Sequence, residues 1–430
     1  MSTQTVGTIR TASDPRVLPL GGFYAWLVWC LANLFVVYLF SVQTGYAIVN
    51  ANIQKDVGLT VAQIASIAAV YTWAFAICQF FGGALLDRLG ARMILPISIG
   101  LVTLGVFIFA NAKSYEMLLI SQFVLALGSC TGFVGAGYVG GKWFGMALFS
   151  FMFGLTQFVA SFTSAFTQNL IEFALKYMDW RSLFNGVGIA GIVLLIAGAI
   201  YIKDREPVHG GMSDGIGAFF GSVIHGMMEV AKIPHVWLAS IIGAITFGTM
   251  LAAGVVWMPK LLQVHGLSPA IGALGASMLW LGLAVGSVVL VRWSDHIQQR
   301  KLPIILGCVA QILTLGALLY LGNVGAAFAM TMCFTFGFFN AAHMLSFSTA
   351  ADVVRPEQIG TSASIVNGLM FIAGGFFISS PGARIPDAQA AGLTGLAGAQ
   401  YAALPLVIAL FVALVLCFLM KETYPKGQSA

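Results

Sequence analysis

Two short segments of this sequence place glycine, aspartate and basic residues in the same order, about half a chain apart. The first, residues 83–92, reads Gly-Ala-Leu-Leu-Asp-Arg-Leu-Gly-Ala-Arg, and the second contains Gly286, Arg292, Asp295, Arg300 and Lys301. An aspartate at a helix end can accept hydrogen bonds from the amino terminus of another helix, and neighbouring arginines can pair with carboxylates there. We therefore predict a reversible conformational latch at the first segment.

The predicted gating motif consists of Gly83, Asp87, Arg88, Gly90 and Arg92, with Asp295 in the second copy. Basic residues at the ends of membrane helices have a simpler explanation, because Lys and Arg accumulate at the cytoplasmic ends of spans. Taken singly, Arg88 and Arg92 fit that alternative. The recurrence of the spacing favours the latch.

Within the long apolar stretches of the chain, ionisable side chains are nearly absent. No Asp, Glu, Lys or Arg lies near the centre of such a stretch, and His343 is the only imidazole there. Imidazole binds metal ions and carries protons near neutral pH, so His343 is a candidate metal ligand. The alternative is a neutral histidine hydrogen-bonded to a neighbouring helix.

Neutral polar side chains recur at helical spacing in the first apolar stretch, where Gln43, Tyr46 and Asn50 share one face. Asn340 lies one helical turn from His343. We predict that these five residues line a polar substrate cavity. Other neutral polar residues either line it too or join helices by hydrogen bonds; they are Gln79, Gln122, Gln157, Gln168 and Asn367.

The sequence offers no constellation for catalysis. Its six cysteines lie singly in apolar stretches, and the glycine-rich segment 132–141 lacks the Lys-Ser/Thr ending of a phosphate-binding loop. No nucleophile triad or metal-ligand cluster is present in the sequence. We therefore expect no enzymatic activity, no cofactor and no nucleotide-hydrolysing domain.

The composition requires a membrane environment, because 59% of the 430 residues are hydrophobic and only 8% are charged, whereas soluble domains carry roughly 25% charged residues. A span needs about 20 apolar residues. Twelve stretches qualify, so the sequence predicts an all-α membrane protein of twelve transmembrane helices in two pseudo-symmetric six-helix halves. The stretches are 23–50, 60–86, 93–111, 115–140, 145–171, 183–202, 236–259, 269–291, 303–322, 325–350, 359–380 and 400–420.

The charge distribution predicts the topology. An even number of spans places both termini on one side, and most Lys and Arg residues fall in the loops of that side, so we expect cytoplasmic termini. Residues 1–20 lack the apolar region of a signal peptide. The net charge of +5 comes from scattered residues, not from one basic face, so we expect no nucleic-acid partner.

The chain divides into five predicted segments. These are a cytoplasmic tail (1–22), an amino-terminal six-helix bundle (23–202), a cytoplasmic linker (203–235), a carboxy-terminal six-helix bundle (236–420) and a second cytoplasmic tail (421–430). Within the linker, apolar residues between Asp214 and Lys232 recur near helical spacing. That pattern indicates an amphipathic helix at the membrane interface.

The first gating segment resembles the signature loop of the major facilitator superfamily, GxxxDRxGxR, matched here by Gly83, Asp87, Arg88, Gly90 and Arg92. Asp179, Trp180 and Arg181 resemble a turn common in that family. The resemblance implies secondary transport of a small molecule or ion by alternating access, in which the two halves rock about a central site. It also implies the lipid bilayer as the surroundings.

Several stretches resemble the magnetosome membrane facilitators of magnetotactic bacteria, among them SVQTGYAIVN, NAAHMLSFSTAADVV and the near-terminal KETYP. This resemblance implies movement of iron, free or chelated, across the magnetosome membrane for magnetite formation, with other magnetosome proteins as candidate partners. The residue chemistry itself does not point to iron. The resemblance leaves the bacterial inner membrane or the magnetosome membrane as the location.

Two further functions remain open. The glycine-rich segment leading to Trp143 resembles oxalate and monocarboxylate porters, which implies a small organic acid carried across the inner membrane. The loop after it has only Lys142, and the spans hold no cationic anchor, which weakens that alternative. The third function is a membrane scaffold without transport, which would have little use for a repeated gating loop.

Overall fold

The computed structural model describes residues 17–207, 216–322 and 324–425. Twelve of its helical segments are long and apolar enough to cross a membrane, the number that the sequence predicts. The amino-terminal half comprises α1 (Gly22–Val57), α2 (Val61–Leu89), α3 (Ala91–Ala110), α4 (Tyr115–Ser129), α5 (Gly132–Phe144), α6 (Phe149–Ala174) and α7 (Trp180–Tyr201).

The linker contains α8 (Ile216–Ala231). The carboxy-terminal half comprises α9 (Pro234–Ala252), α10 (Met258–Val264), α11 (Pro269–Ile297), α12 (Lys301–Tyr320), α13 (Ala326–Asn340), α14 (Leu345–Ala351), α15 (Ile359–Ala390) and α16 (Gly395–Leu419).

The observed helices extend past several predicted apolar stretches. The first stretch was predicted to end at residue 50, yet α1 continues to Val57. It stops at Gly58, which adopts a left-handed conformation and donates its N–H to the carbonyl of Gln54. Residues 51–57 are mostly polar, and a polar turn can continue a helix beyond the apolar core of a bilayer. Apolar length therefore underestimates helix length at this end.

Three spans are interrupted. The fourth span breaks at Cys130 and Thr131 between α4 and α5, and the seventh contains a π-helical turn, Ala253–Trp257, between α9 and α10. The tenth span contains a 3-10 turn, Ala341–Met344, between α13 and α14, and this turn carries His343. Such interruptions often occur at functional sites of membrane and soluble proteins.

The two halves meet along two seams. At the first seam α2 packs against α15, and at the second seam α6 packs against α11. A Cβ atom on Gly83 would clash with the carbonyl oxygen of Gly360 in the first seam, and one on Gly154 would clash with that of Ser287 in the second. Glycine lets the backbones of both seams approach closely.

Both described chain ends lie at one end of the bundle, which we call the terminal face; the opposite end is the distal face. On the terminal face the N–H of Leu18 donates to the carbonyl of Arg205, and Lys301 donates to the carbonyl of Phe418. Most of the first predicted tail (residues 1–16) and residues 426–430 of the second lie outside the described residues.

The linker helix α8 lies on the terminal face and contacts both halves. Arg88 of α2 donates to the carbonyl of Ser222 at 3.2 Å, and Gln358 at the start of the eleventh span donates to Glu229 at 2.8 Å. Val223 and Val230 are buried against the bundle. The apolar face predicted for this helix is thus at least partly covered by protein. Residues 208–215, where the predicted amphipathic segment begins, lie outside the described part of the chain.

Candidate functional site

Asp87 lies at the terminal end of α2 and accepts hydrogen bonds from the other half of the protein. The N–H groups of Gly360 and Thr361 donate to its carboxylate oxygens at 2.9 and 2.7 Å, and the Thr361 hydroxyl donates at 2.7 Å. Because α15 begins at Ile359, these N–H groups belong to its unpaired first turn. The positive end of a helix favours such an anion, so the carboxylate joins the two halves at the first seam.

Glycine is required at two positions near the gating motif, one beside Asp87 and one beside Asp204. A Cβ added to Gly360 would lie 2.7 Å from the carbonyl oxygen of Gly83 and 2.8 Å from Asp87. Gly90 has a φ of 77°, a conformation that side chains rarely adopt. A Cβ there would also clash with the carboxylate of Asp204. Gly83 and Gly360 therefore allow the close backbone contact beside Asp87, and Gly90 allows the contact with Asp204.

The two arginines of the motif have different environments. Arg88 donates to the linker helix, as described above, and lines a cleft of about 940 Å³ on the terminal face. The backbone N–H of Arg92, with that of Ala91, donates to Asp204, which follows the sixth span. Burial raises the pKa of Asp204, although those two backbone hydrogen bonds act in the opposite direction. The pairing of these arginines with carboxylates of the other half stays a prediction.

Asp295, in the second copy, contacts its own half. Its carboxylate accepts a hydrogen bond from Arg300 at 2.6 Å, and Arg300 also lies 3.7 Å from Asp352. The guanidinium of Arg300 stacks over the Tyr424 ring at 4.7 Å. Burial raises the pKa of Asp352 to about 6, and Arg300 opposes that shift. The second copy is thus the centre of a charge cluster within the carboxy-terminal half.

A cavity of about 260 Å³ lies between the halves on the distal side of the first seam. Its polar lining comes from α1, α2 and α4, and α9 and α15 complete the wall. Gln43 donates to the hydroxyl of Tyr71, and Phe75 meets Phe371 edge-on at a centroid distance of 4.8 Å. The lining residues are Val42, Gln43, Tyr46, Ala68, Tyr71, Thr72, Phe75, Gln122, Leu125, Leu251, Phe371, Gly375 and Ile378.

This cavity is uncharged and mostly apolar, and its polar groups are the amides and hydroxyls of Gln43, Tyr46, Tyr71, Thr72 and Gln122. Its described lining contains no Asp, Glu, Lys, Arg or His. The amide nitrogen of Gln122 is buried and has no hydrogen-bond partner within the described residues. Amide and hydroxyl donors suit the oxygen atoms of an organic solute, whereas a bare cation prefers carboxylate, imidazole or thiolate ligands.

Of the five residues predicted to line the cavity, the structure brings Gln43 and Tyr46 into it. Asn50 lies one turn farther along α1 and outside the lining. Asn340 is fully buried in the carboxy-terminal half, where its amide donates to Thr246 at 2.7 Å and to Gln311 at 2.9 Å. Its hydrogen bonds therefore join helices of one half.

His343 is also separated from the cavity. Its Nδ1 lies 2.8 Å from the carbonyl oxygen of Asn340 in its own span, and its ring packs against Phe247 at 4.8 Å. Phe247 in turn lies 5.9 Å from Phe371, a wall of the cavity. No cluster of three or more His, Cys, Asp or Glu residues is placed to hold a metal ion in the described part of the chain. A metal role for His343 stays a prediction.

Sequence reasoning missed some residues of these sites. Tyr71 and Phe371 line the cavity, but aromatic residues in apolar stretches look alike whether they face a cavity or lipid. Asp204 was missed too, as was Glu422, which accepts from the backbone N–H of Arg300 at 2.8 Å. A repeated signal marks both: Lys-Asp-Arg-Glu-Pro at 203–207 and Lys-Glu-Thr-Tyr-Pro at 421–425. The side chain of Gln168, named as a polar candidate, lies outside the described residues.

Comparison with known proteins gives a consistent picture. The chain matches the Major Facilitator Superfamily over residues 28–379. The probable sulfoacetate transporter SauU of Cupriavidus necator is 24% identical over 75% of this chain and 74% of its own. The uncharacterized transporter YybO of Bacillus subtilis is 20% identical over 84% of this chain and 87% of its own. The probable galactarate/D-glucarate transporter GudP of Bacillus subtilis is 29% identical over 35% of this chain and 34% of its own.

Two solved structures share the fold. The proton:xylose symporter XylE superposes with a TM-score of 0.68 at 14% identity and covers 93% of this chain and 96% of its own. The human organic anion transporter MFSD10 gives a TM-score of 0.69 at 12% identity and covers 91% of this chain and 99% of its own. The predicted fold class is confirmed, as is the prediction of a multi-pass membrane transporter and not an enzyme.

Proposed function

The chain belongs to the major facilitator superfamily, and from this premise we propose that it carries a small, oxygen-rich organic anion, alone or as the chelator of iron. The observation that carries the proposal is the uncharged cavity between the halves, whose polar groups are all amides and hydroxyls. Transport proceeds by alternating access: the described conformation is closed at the terminal side of the first seam, where Asp87 holds α15.

The cavity chemistry separates the candidate substrates. The Gln122 amide is a donor that matches carboxylate, sulfonate and hydroxyl oxygens. Among the relatives, SauU and GudP are described as carriers of sulfoacetate and of galactarate or D-glucarate, which are molecules of this kind. A bare iron ion would find no carboxylate or imidazole in the described cavity lining, because His343 lies behind Phe247.

Iron transport in the magnetosome membrane is the second candidate, and the sequence resemblance to magnetosome facilitators supports it. The cavity restricts it to chelated iron, for example a ferric hydroxycarboxylate, whose outer surface consists of oxygen atoms. The excess of Lys and Arg in loops of the terminal face supports cytoplasmic termini. The protein would then reside in the inner membrane or in the magnetosome membrane derived from it.

The test is uptake by purified protein in proteoliposomes supplied with labelled D-glucarate, sulfoacetate, ferric citrate or ferrous iron. We expect saturable uptake of at least one organic anion or of ferric citrate, and none of ferrous iron alone. Gln122→Leu should raise the KM about tenfold, because one hydrogen bond to a charged solute is lost.

The matched variant is His343→Ala. It should leave the KM within about twofold of the wild-type value, since one hydrogen bond or less would be at stake and the ring does not reach the cavity. Saturable uptake of ferrous iron that His343→Ala abolishes would contradict the proposal and restore the metal-ion interpretation of this residue.

A further inference from the structure

One face of α2 and one face of α15 run past each other along the first seam in three successive levels. At the distal level, Phe75 and Phe371 close the floor of the cavity. At the terminal level, Asp87 binds the start of α15. The level between them contains Gln79 and Ser364. It is separate from the aromatic pair and from the Asp87 contact.

The middle level faces the opposite half from both sides. Gln79 lies four residues from both Phe75 and Gly83 on one face of α2. A Cβ added to Gly368 would lie 3.4 Å from the Cβ of Gln79, so the glutamine side chain starts directly against α15. Ser364 is placed against Gly83 in the same way. Asn367 lies between Ser364 and Phe371 on the same face of α15.

The polar atoms of this level are buried without partners. Gln79 is 0% exposed, and both its amide oxygen and its amide nitrogen lack a hydrogen-bond partner among the described residues. The Ser364 hydroxyl and the Asn367 amide nitrogen are in the same state, with 0% and 3% exposure. Native proteins rarely leave buried polar atoms unpaired, so such a group needs an explanation.

The location of the middle level explains why its polar atoms are unpaired. A solute leaving the distal cavity toward the terminal face must pass the Phe75–Phe371 floor, and the next side chains that it meets are these amides and the hydroxyl. In the closed conformation they are pressed together. When the terminal sides of α2 and α15 separate, the same groups become walls of the open path.

We propose that Gln79, Ser364 and Asn367 form a second binding level for the oxygen atoms of the transported solute. This level is occupied when the terminal side opens. The inference rests on the proposed transport of an oxygen-rich organic solute and adds where that solute binds after it leaves the distal cavity. Its unpaired atoms also disfavour the closed state, which helps the seam to open once solute or water can reach them.

The test compares Gln79→Met with Gln311→Met. Methionine has nearly the size and shape of glutamine but makes no comparable hydrogen bonds. Gln311 is equally buried, but it donates to Gly307 at 3.3 Å and accepts from Asn340 at 2.9 Å within one half. Both variants are measured for thermal stability and for uptake in vesicles of each orientation, with the solute that the wild type carries best.

For Gln79→Met we expect an unchanged or higher melting temperature, because no hydrogen bond is lost in the closed state. Its KM should rise about tenfold for solute entering from the terminal face and less for solute entering from the distal face. Gln311→Met should lower the melting temperature and leave both KM values near those of the wild type.

Equal KM values for Gln79→Met and wild type from both faces would overturn the proposal. A melting temperature that falls as far as in Gln311→Met would overturn it too, and this readout does not depend on which solute is carried. A wild-type protein that takes up none of the organic solutes would instead contradict the proposed function, so the two failures are distinguishable.

Discussion

The two copies of the gating segment share one contact and differ in another. In each half, an acidic residue three positions after the last span caps the helix that follows the segment: Asp204 accepts from the N–H of Ala91 at 2.7 Å, and Glu422 accepts from that of Arg300 at 2.8 Å. The aspartates then diverge. Asp87 binds the opposite half, whereas Asp295 binds Arg300 of its own half.

This difference makes the terminal closure asymmetric. The first seam is joined by a carboxylate at a helix amino terminus, where hydrogen bonds to a charged group contribute about 1.5–3 kcal/mol each. Near the second seam, the Ser348 hydroxyl donates to Ser150 of α6 at 2.8 Å, and Arg292 lies over the Phe151 ring at 4.9 Å. Neutral hydrogen bonds and partly exposed cation–π contacts are weaker, about 0.5–1.5 kcal/mol. We infer that the first seam governs opening.

The largest effect should come from Gly83→Ala. The added methyl group would clash with the Gly360 backbone, which cannot move aside as a flexible side chain can. We expect uptake to fall at least tenfold, because the terminal side can no longer close. Gly316→Ala is the control, since a Cβ at Gly316 meets no atom within 4 Å, and it should transport like the wild type.

Asp87→Ala should have the next largest effect. Removing the carboxylate leaves two backbone N–H groups of α15 unpaired, and we expect transport to fall roughly tenfold while the protein still inserts and purifies normally. Asp179→Ala is the matched control, because Asp179 also caps a helix start but does so within one half, by accepting from Ser182 at 3.0 Å. Normal transport by Asp87→Ala would remove the latch from the account.

Asp295→Ala should change stability more than transport. The side chain of Arg300 is only 5% exposed and would lose its closest carboxylate. Breaking such a pair is costly, so we expect the melting temperature to fall by roughly 2–5 °C. Uptake should stay within about twofold of the wild type. A transport defect as large as that of Asp87→Ala would show that both copies act as latches.

The same cluster predicts a small pH effect. Because burial raises the pKa of Asp352 to about 6 from its usual 3.8, the folded protein binds a proton there more tightly than the unfolded chain does. Its contribution to stability is therefore present at low pH and is lost as the pH rises through about 6. Melting temperatures measured from pH 4 to 7 should show this decline, and Asp352→Asn should reduce it. An identical pH profile for the variant would contradict the assignment.

The spans and the motif were predictable because both depend on local chemistry. Apolar length identifies a membrane helix, and the Asp87 segment contains its glycines and charges within ten residues. The partner of that carboxylate was predictable only in type, as a helix amino terminus. Its identity as Gly360 and Thr361 depends on how the halves dock, which local sequence does not encode.

The cavity was harder to predict because it depends on the rotation of each helix. His343 and Asn340 have the polarity expected of a binding site, but their faces of the tenth span turn toward Phe247 and Gln311. Tyr71 and Phe75 face the cavity although their types equally suit a lipid-facing surface. Asp295 illustrates the same limit, since its spacing matches Asp87 while its partner lies in its own half.

Hydrogen–deuterium exchange at the start of α15 tests the asymmetry of the two seams most directly. In wild-type protein, the peptide that contains Gly360 and Thr361 should exchange slowly, because Asp87 accepts both amide hydrogens. In Asp87→Ala this peptide should exchange much faster, while the peptide that contains Asp295 and Arg300 stays at its wild-type rate. Unchanged exchange at Gly360 and Thr361, or equal acceleration of both peptides, would contradict the claim that the first seam is the one that opens and closes the terminal face.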